Sequence, residues 1–437
     1  MSSNGQDAAN GVQETPPPLL ASENGLTKPD LSAHDASALL HRVYGLRVTH
    51  HAGVTPLDSY EDQNFCVLPD GADGGGGGGG GGYVLKVFSS GEGKSREFVL
   101  LQSEVMAFLR KRGFPVPEQV PTRRGEVVSM EIVGESRASL MAAANVGSAV
   151  GMSAVASRVV HGAVGRTHVV WLLTLLEGQF LSAIPRDGAL CFQVGRLAAG
   201  LDKALLEFRS PLMSCLERRG GAAGGCGGEW DLCALPSLEA RVSLLPGERA
   251  RSIVREVIAE FRQNFLARRH EFRSGLIHGD FNDNNILAVP ARSPLPGGAS
   301  PWRVSGLLDF GDMTLGYLVF ELAIAIAYAM IDAPDPVDVG GHVMAGYESM
   351  LPLSDEEKAV VFLVVLARLS QSALNAWHNV ALHPQNERYL MVSAPKALAL
   401  LCHLWDLGPR VVHESWARTA QRLRKRSVAN PSTESES

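Results

Sequence analysis

The sequence predicts an α+β protein with two lobes, a small β-rich N-lobe followed by a larger helical C-lobe. Three observations predict this architecture. Short alternating runs of apolar and polar residues, typical of strands, are frequent up to residue 176. Apolar residues that recur every three or four positions, typical of amphipathic helices, dominate from residue 187 onward. A dense polar segment at 278–285 lies between Leu276-Ile277 and Ile286-Leu287, as in a short loop held at both ends by a core.

Composition limits the possible function classes. The 437 residues suffice for two or three domains, or for two lobes with insertions. The net charge of −6 gives no electrostatic basis for binding nucleic acid or an anionic membrane, and the six cysteines show no metal-type spacing. The N-terminus lacks the pattern of a secretory signal, and the most apolar segment, 318–331, is too short to span a bilayer. We therefore predict a cytoplasmic protein with no nucleic-acid or membrane partner.

The N-lobe is predicted to span residues 31–176, after a disordered N-terminus at 1–30. It begins with a helix over 32–45, because Ser32 and Asp35 form a capping box ahead of an apolar face. A second helix, over 93–112, is expected to stop at Gly113. The strands of this lobe are predicted over residues 48–57, 65–68, 83–88, 126–133 and 168–175.

Three insertions interrupt these elements. The consecutive glycines at 74–82 match neither a P-loop nor a Rossmann turn, and they predict a flexible hairpin tip. Residues 135–166 are small and aperiodic, which predicts an inserted loop, and 290–301 form a Pro/Gly-rich insertion. The C-lobe is predicted over 177–426, before a disordered tail at 427–437, with helices over residues 192–208, 248–272, 317–331, 354–381, 386–405 and 411–425.

Lys86 and Glu104 are candidates for an ion pair that positions a nucleotide. Lys86 lies on an apolar strand, where a single lysine either protects a sheet edge or binds phosphate. Glu104 lies beside the apolar stripe of the following helix, and alone such a glutamate is typical of a solvated surface. A strand lysine followed by a helix glutamate is the order of the nucleotide-positioning pair in kinases. Together with the downstream loops, this order favours the ion pair.

Asp280, Asn285 and Asp309 carry the main functional prediction. Asp-x4-Asn, followed by an apolar strand that ends in Asp-Phe-Gly, is the spacing of phosphoryl transfer in the kinase fold. In that chemistry the first Asp accepts the proton of the acceptor hydroxyl, while the Asn and the second Asp hold Mg²⁺ on the nucleotide phosphates. The plainer interpretation is an Asx-rich turn, since Asn and Asp favour turns for local reasons. The combined spacing favours catalysis.

The neighbouring polar residues have simpler interpretations. His278 is predicted to brace the loop backbone rather than to act as a base. Glu321, within an apolar helix, is predicted to be structural. Asp312 either supports the metal-binding loop or meets the substrate, and the sequence does not choose between these roles.

The motifs His278-Gly279-Asp280-x4-Asn285 and Leu308-Asp309-Phe310-Gly311-Asp312 resemble the aminoglycoside phosphotransferase and choline kinase branch of the kinase-like enzymes. Gly279 stands where protein kinases have Arg, which points to small-molecule acceptors. The resemblance covers roughly residues 32–425 and implies a two-lobed protein-kinase-like fold that binds a nucleotide. Carried over by position, it implies Asp280 as catalytic base, Asn285 and Asp309 as Mg²⁺ ligands, Lys86 and Glu104 at the phosphates, and Leu176 and Glu177 near the nucleobase.

Flanking segments at 60–65, 85–87, 112–117 and 195–205 resemble a member of this branch that phosphorylates 5-hydroxy-L-lysine with GTP in cytosolic amino-acid catabolism. ATP is the alternative donor. The glycine run and the other two insertions depart from the usual pattern of the branch. The resemblance places the acceptor on the C-terminal helices, where its amines and carboxylate need charged partners; the choice is left open among Asp332, Asp335, Glu387 and Arg388.

Two alternatives stay open beside this hypothesis. The first is a sibling kinase acting on choline, ethanolamine or an aminoglycoside. The second is a catalytically inactive protein that binds nucleotides or serves as a scaffold. The second alternative is disfavoured because the chain has kept all four residues that the chemistry requires, namely Lys86, Asp280, Asn285 and Asp309.

Overall fold

A computed structural model of the chain describes residues 29–48, 53–59, 62–70, 81–89, 95–134, 165–219, 230–291, 300–382, 384, 387 and 391–429. The predicted disorder of the two ends lies outside the described residues, apart from 29–30 and 427–429. Most of each predicted insertion (74–82, 135–166 and 290–301) also lies outside them.

The N-lobe is built on one antiparallel sheet, in the order β1-β2-β3-β6-β4, with β5 also paired to β6. Two helices pack on it: α1 (Ala33–Tyr44), which begins at the predicted Ser32 capping box, and α2 (Arg96–Lys111), after which Gly113 adopts a φ of 82°. The strands are β1 (Val54–Leu57), β2 (Gln63–Val67), β3 (Tyr83–Val87), β4 (Gln119–Val120), β5 (Ser129–Gly134) and β6 (Gly165–Thr174).

The two faces of this sheet are covered by different helices. Leu85 and Val87 of β3 pack with the apolar side of α1, whereas Phe88 and Trp171 pack with α2. This division follows from the alternation of side chains along a strand. Lys86 lies directly opposite Trp171 of β6, so its side chain belongs to the α2 face. The predicted strand alternation therefore places Lys86 between the sheet and the helix.

Two small sheets connect the lobes and hold the polar segment of residues 278–285. β8 (Ser274–Ile277) pairs with β11 (Thr314–Tyr317), and β9 (Ile286–Pro290) pairs with β10 (Trp302–Leu307) and with β7 (Gln179–Phe180). The polar segment therefore runs from the end of one strand to the start of another. The apolar pairs at its two ends are buried, as the sequence predicted.

The C-lobe is helical, which together with the sheet-rich N-lobe confirms the predicted α+β fold class. A long 3-10 segment spans Leu232–Leu244. The helix predicted over 248–272 is an α-helix only from Glu248 to Glu260, and it continues as a π-helix (Phe261–Phe265) and a 3-10 helix (Leu266–Glu271). The α-helices are α3 (Gly188–Leu205), α4 (Ser214–Arg219), α5 (Glu248–Glu260), α6 (Leu318–Met330), α7 (Pro336–Met350), α8 (Asp355–Leu382) and α9 (Ala394–Ala429).

Helix α7 is a helix that the sequence did not predict. It contains Gly340, Gly341 and Gly346, and glycine lowers the intrinsic preference for a helix. The tertiary structure explains these residues, because a Cβ at Gly346 would lie 2.1 Å from a backbone oxygen of α3. A Cβ at Gly195 of α3 would likewise lie 1.9 Å from a backbone oxygen of α7. Gly346 and Gly195 therefore permit a close approach of α7 and α3.

Helices α8 and α9 can be compared with the sequence expectations in the same way. The two helices predicted near the C-terminus are both present within α9, where the non-helical backbone of Gly408 (φ 74°, ψ 163°), followed by Pro409, separates them. Among the described helices, α8 is long and apolar enough to cross a bilayer by length and composition, a feature that the sequence analysis missed. However, 83% of its most apolar window is buried inside the molecule, as in a core helix.

Candidate active site

A buried glutamate fixes the backbone at the start of the polar loop, which is the polar segment of residues 278–285. Glu321 of α6 accepts hydrogen bonds through Oε2 from the amides of His278 (2.6 Å) and Gly279 (3.2 Å). Its side chain is fully buried, and this burial raises the pKa of its carboxyl group. The structural role predicted for Glu321 is confirmed, because it satisfies two backbone donors that the core would otherwise leave unpaired.

His278 braces the same loop. Its Nε2 donates to the carbonyl of Leu308 over 2.9 Å, and its Nδ1 accepts from the amide of Asp280 over 3.3 Å. The ring is fully buried and contacts Phe310. Both ring nitrogens are thus committed to the backbone, which confirms the predicted bracing role and ties the Asp280 loop to the strand that leads to Asp309.

Gly279 has a conformation and surroundings that exclude other residues. Its φ is 80°, in the left-handed region that favours glycine. A Cβ at this position would lie 2.4 Å from the carbonyl oxygen of Asp312. An arginine therefore cannot stand before Asp280 in this structure, because the second carboxylate loop passes too close.

Asp280 is surrounded by donors. Its Oδ2 accepts from the Nδ2 atoms of Asn282 and Asn285, each over 2.8 Å, and its Oδ1 accepts from Nη2 of Arg368 over 2.7 Å. About one-fifth of its side chain is exposed. The carboxylate is therefore fixed in orientation while one part of it still faces solvent.

Asp309 lies beside these groups. The carbonyl of Asn285 accepts from the amide of Leu308 over 2.8 Å, which places the two predicted metal ligands on neighbouring segments. Asp309 has a φ of 54°, unusual for a residue other than glycine, and its Oδ1 accepts from the amide of Gly311. Lys86 Nζ lies 3.1 Å from Asp309 Oδ1. The structure thus brings Lys86, Asp280, Asn285 and Asp309 into one network, although Lys86 and Asp309 are 223 residues apart.

The donor atoms suit a divalent cation of the magnesium type. Because Asn285 uses its Nδ2 toward Asp280, its Oδ1 is the atom that would face a cation. Asp309 adds a carboxylate that is 47% exposed. Mg²⁺ prefers such oxygen ligands and takes the remainder from phosphates and water. No group of three His, Cys, Asp or Glu side chains able to hold a metal occurs in the described ranges.

The sheet face around Lys86 also leaves polar atoms for a ligand. Asn64 and Trp171 lie directly opposite Lys86 on the two neighbouring strands. Within the described part of the chain, Asn64 Oδ1 and Trp171 Nε1 are buried and have no hydrogen-bond partner. Buried polar groups normally have a hydrogen-bond partner, so these two unpaired atoms indicate a place where a ligand or a water molecule binds on this face of the sheet.

The predicted pair between Lys86 and Glu104 is not formed. Glu104 is exposed on α2, whereas Lys86 Nζ contacts Asp309 and lies 3.6 Å from Asp62 Oδ2. The buried polar side chain on that part of α2 is Gln102, two positions earlier. The sequence prediction was wrong here because two residues correspond to about half a helical turn, and the apolar stripe did not fix which side met the sheet.

We expect Asp62, rather than Glu104, to support Lys86. Asp62 is buried beside the lysine and accepts from the amide of Ser89 over 3.0 Å. Asp62→Asn should weaken the binding of Mg·GTP roughly 5- to 30-fold, because a partly buried charge pair is worth about 1–2 kcal/mol. Titration calorimetry would measure the affinity, with Glu104→Gln as the matched control. Equal effects of the two substitutions, or an undiminished Asp62→Asn effect in a Lys86→Met background, would contradict this assignment.

Leu176 and Glu177 lie in the connection between β6 and β7, at the junction of the lobes. The carbonyl of Glu177 accepts from Ser305 Oγ over 3.0 Å, and Leu176 is half-buried against Gly306. Gly178 has a φ of 140° and a backbone too close to Ala288 for a side chain. The segment is thus anchored to the sheet of β9 and β10. Its contact with a nucleobase stays a prediction.

The sequence analysis missed Arg368 of α8, which contacts Asp280. The sequence did contain a sign of this contact, namely polar residues on one side of α8 among apolar ones.

None of the described residues proposed as charged partners of the acceptor forms a hydrogen bond or ion pair with the Asp280 loop: Asp332 pairs with Lys396, Asp335 caps α7, and Glu387 is exposed. Arg388 lies outside the described residues. The buried polar residues of this part of α8 are Arg368, Ser370, Gln371, Ser372, Asn375 and Asn379.

A second buried carboxylate lies behind the loop. Asp202 of α3 is fully buried and accepts from the hydroxyl of Tyr347 over 2.5 Å. Burial, and then the neighbouring charge of Glu321, raise the pKa of Asp202 well above 3.8. The folded protein therefore holds a proton at Asp202 that the unfolded chain releases above that value.

This proton predicts a stability change with pH. When the folded state binds more protons than the unfolded state, the free energy of unfolding falls as pH rises. The contribution of Asp202 to stability should therefore decrease from about pH 4 upward, and Asp202→Asn should remove this contribution to the pH dependence because asparagine stays neutral. Urea unfolding at pH 5 and pH 8 would measure the difference. Parallel changes in both proteins would show that Asp202 does not carry the proton.

Comparisons with known proteins show the family of the chain. Residues 55–358 match the phosphotransferase enzyme family. The chain is 36% identical to hydroxylysine kinase of Bos taurus over 400 residues, covering 91% of this chain and 95% of that protein. It is 34% identical to hydroxylysine kinase of Danio rerio, covering 91% and 98% of the two chains.

Two solved structures share the fold. A microcompartment-associated aminopropanol kinase superposes with a TM-score of 0.56 at 16% identity, covering 85% of this chain and 96% of that chain. An amicoumacin kinase in complex with AMP-PNP and Ca²⁺ superposes with a TM-score of 0.53 at 14% identity, covering 87% and 94%. The sequence matches and the shared fold lead to one conclusion: the chain belongs to the phosphotransferase enzyme family and, within it, groups with the hydroxylysine kinases.

Proposed function

We propose that the protein is a small-molecule kinase that transfers the γ-phosphate of GTP to the hydroxyl of 5-hydroxy-L-lysine, in cytosolic amino-acid catabolism. The observation that carries the proposal is the network in which Asp280, Asn285, Asp309 and Lys86 meet at the junction of the lobes. The name of the relatives, at 34–36% identity over nearly the whole chain, supports the acceptor. The donor rests on the sequence resemblance, with ATP as the alternative.

The hydrogen bonds of Asp280 support a role as general base. Its two oxygens are oriented by Arg368 and by the amides of Asn282 and Asn285, so the carboxylate needs no rearrangement before it accepts a proton. As the acceptor oxygen forms its bond to the terminal phosphorus, the hydroxyl proton passes to Asp280. The bond to the bridging oxygen of the donor breaks, and the nucleoside diphosphate leaves with the electron pair.

Lys86, Asn285 and Asp309 would hold the donor. Lys86 presents its ammonium group on the inner face of the sheet and would contact the phosphates once Asp309 turns toward a cation. Asn285 and Asp309 would hold Mg²⁺, which neutralises phosphate charge when bound. Leu176 and Glu177 would line the nucleobase at the junction of the lobes.

A single coupled assay tests the proposal. Purified protein would be given GTP or ATP with Mg²⁺ and a panel of 5-hydroxy-L-lysine, 1-amino-2-propanol, ethanolamine, choline and an aminoglycoside, with formation of the diphosphate as the readout. We expect turnover with 5-hydroxy-L-lysine and faster turnover with GTP than with ATP. Preference for another acceptor would replace the proposed substrate, and no transfer to any acceptor would overturn the kinase function itself.

A further inference from the structure

We propose that Arg368 binds the carboxylate of the amino-acid acceptor and thereby selects amino acids over amino alcohols. The inference rests on the proposed function and extends it to a residue that determines specificity. It rests on the burial of Arg368, on its hydrogen bonds, and on its position beside the one hydrogen-bonding position of the Asp280 carboxylate that is still unused.

Arg368 is a charged side chain in the buried middle part of α8. Only 1% of its side chain is exposed, and burying an arginine is costly unless its donors are paired. Nη1 donates to the carbonyl of Trp230 over 3.2 Å and to Gln371 Oε1 over 3.0 Å, and Nη2 donates to Asp280 Oδ1. A helix that only filled the core would have an apolar residue here. The arginine is therefore held at Asp280 by its surroundings.

One edge of the guanidinium is unused. Arg368 Nε is buried and has no hydrogen-bond partner within the described part of the chain. Nε and Nη2 form the side of the guanidinium that binds a carboxylate through two parallel hydrogen bonds. Nη2 has a second hydrogen besides the one donated to Asp280. The orphaned Nε together with this hydrogen makes an incomplete anion site next to the catalytic base.

Asp280 places the acceptor alongside this edge. A carboxylate offers about four acceptor positions, two on each oxygen. Asn282 and Asn285 take both positions on Oδ2, and Arg368 takes one on Oδ1. The remaining position is therefore on Oδ1, beside Arg368. A hydroxyl that gives its proton to Asp280 must lie next to the guanidinium.

The dimensions of the acceptor fit this arrangement. In 5-hydroxy-L-lysine, four carbon–carbon bonds separate the carbon with the hydroxyl from the carboxylate carbon, which spans roughly 5 Å at about 1.5 Å per bond. A hydroxyl on Asp280 Oδ1 would lie within about 5 Å of Arg368 Nη2, given hydrogen bonds near 2.8 Å. The acceptor is therefore long enough to bring its carboxylate to the unpaired edge of Arg368. An amino alcohol has no group for that edge.

Two aromatic rings keep the guanidinium in place. The Cζ atom of Arg368 lies 4.9 Å from the centre of the Trp230 ring and 5.6 Å from that of Tyr328. Such contacts attract the cation and limit its movement. Tyr328 is also linked to α8 through Ser372 over 3.4 Å. Arg368 is thus preorganised. Less conformational entropy is lost when a preorganised arginine binds a carboxylate, so the carboxylate contributes more to the affinity.

The test compares two acceptors that differ only in the carboxylate. These are 5-hydroxy-L-lysine and its decarboxylated analogue, 1,5-diaminopentan-2-ol. For the wild-type protein, we expect kcat/KM to be roughly 10- to 150-fold higher for the amino acid, the range that a charge-assisted hydrogen bond supplies. Arg368→Gln should reduce this ratio to within about threefold of one, because only the amino acid loses a contact.

The matched control is Arg241→Gln. Arg241 donates to Asn375 of the same helix over 2.8 Å, and so this change removes a guanidinium that contacts α8 away from Asp280. The ratio of the two acceptors should stay at its wild-type value in this variant. Because Arg368→Gln could unfold, Arg368→Lys provides a second variant that keeps the charge, and it should retain part of the preference for the amino acid.

Each outcome decides the inference. If the wild-type protein phosphorylates both acceptors equally well, the proposed function stands and the role of Arg368 is overturned. The same holds if Arg368→Gln lowers both activities in proportion, since Arg368 then only positions Asp280. If the wild-type protein phosphorylates neither acceptor, the proposed function fails and the inference fails with it. A loss of the ratio in Arg368→Gln, with the ratio preserved in Arg241→Gln, supports the inference.

Discussion

Asp280→Asn is expected to lower kcat by about 10³-fold, within the range that general-base catalysis supplies. Asparagine has nearly the same shape but cannot accept a proton, so the hydroxyl of the acceptor would have to lose its proton to water. Binding of the nucleotide should change little, since Asp280 contacts Arg368 and the two asparagines rather than Lys86. Steady-state kinetics, together with calorimetric titration of Mg·GTP, would separate the two effects.

A control for this substitution exists in the same loop. Asn284 is exposed, and its Oδ1 accepts from Ser182 at the edge of the loop. Asn284→Ser should leave kcat within about threefold of wild type, because surface changes rarely cost more than about 0.5 kcal/mol. If Asp280→Asn kept wild-type kcat, or lost nucleotide binding as well, Asp280 would not be the base.

Asp309→Asn is the second change with a large expected effect. The carboxylate is the charged group of the two proposed metal ligands, and it also pairs with Lys86. Its removal should abolish the rise in melting temperature that we expect Mg·GTP to give the wild-type protein, and should lower kcat by about 10³-fold, since the phosphates would lose the cation that neutralises them. Thermal unfolding with and without Mg·GTP would measure the first effect.

Chelation provides the control for Asp309. In the wild-type protein, EDTA should remove the stabilisation by GTP to the same extent as Asp309→Asn does. In the variant, EDTA should have no further effect. A variant that is still stabilised by Mg·GTP, with EDTA reversing that stabilisation, would show that the cation binds elsewhere. Asn285 would then have to be tested by itself.

Local sequence was sufficient for the elements whose signals are local. The capping box at Ser32 starts α1 where it was expected, because the side chains of Ser32 and Asp35 each accept from the other residue's backbone amide within one turn. The polar loop at 278–285 was likewise identified from its apolar ends and its spacing. The family resemblance then implied roles for Asp280 and Asn285 of this loop without coordinates.

Local sequence was not sufficient for α7 or for the partner of Lys86. The glycines of α7 weaken a helix in isolation, and tertiary contacts explain them: a Cβ at Gly346 would collide with the backbone of α3, and a Cβ at Gly340 or Gly341 would crowd side chains of α6 and α9. Glu104 and Gln102 differ by two positions on one helix, and which of them faces the sheet depends on how α2 rotates onto Phe88 and Trp171. Periodicity gives the apolar face to within about one residue, which is too coarse to assign an ion pair.

By itself, the sequence determined the two-lobed fold class, the loop with Asp280 and Asn285, the strand that ends at Asp309, and the strand lysine, because each is a pattern of neighbouring residues. Only the tertiary structure decided which distant side chains meet. It paired Lys86 with Asp62 and Asp309, and it brought Arg368 to Asp280 across 88 residues of chain. Pairings of this kind depend on how helices and sheets pack against one another, and no local pattern of residues encodes that packing.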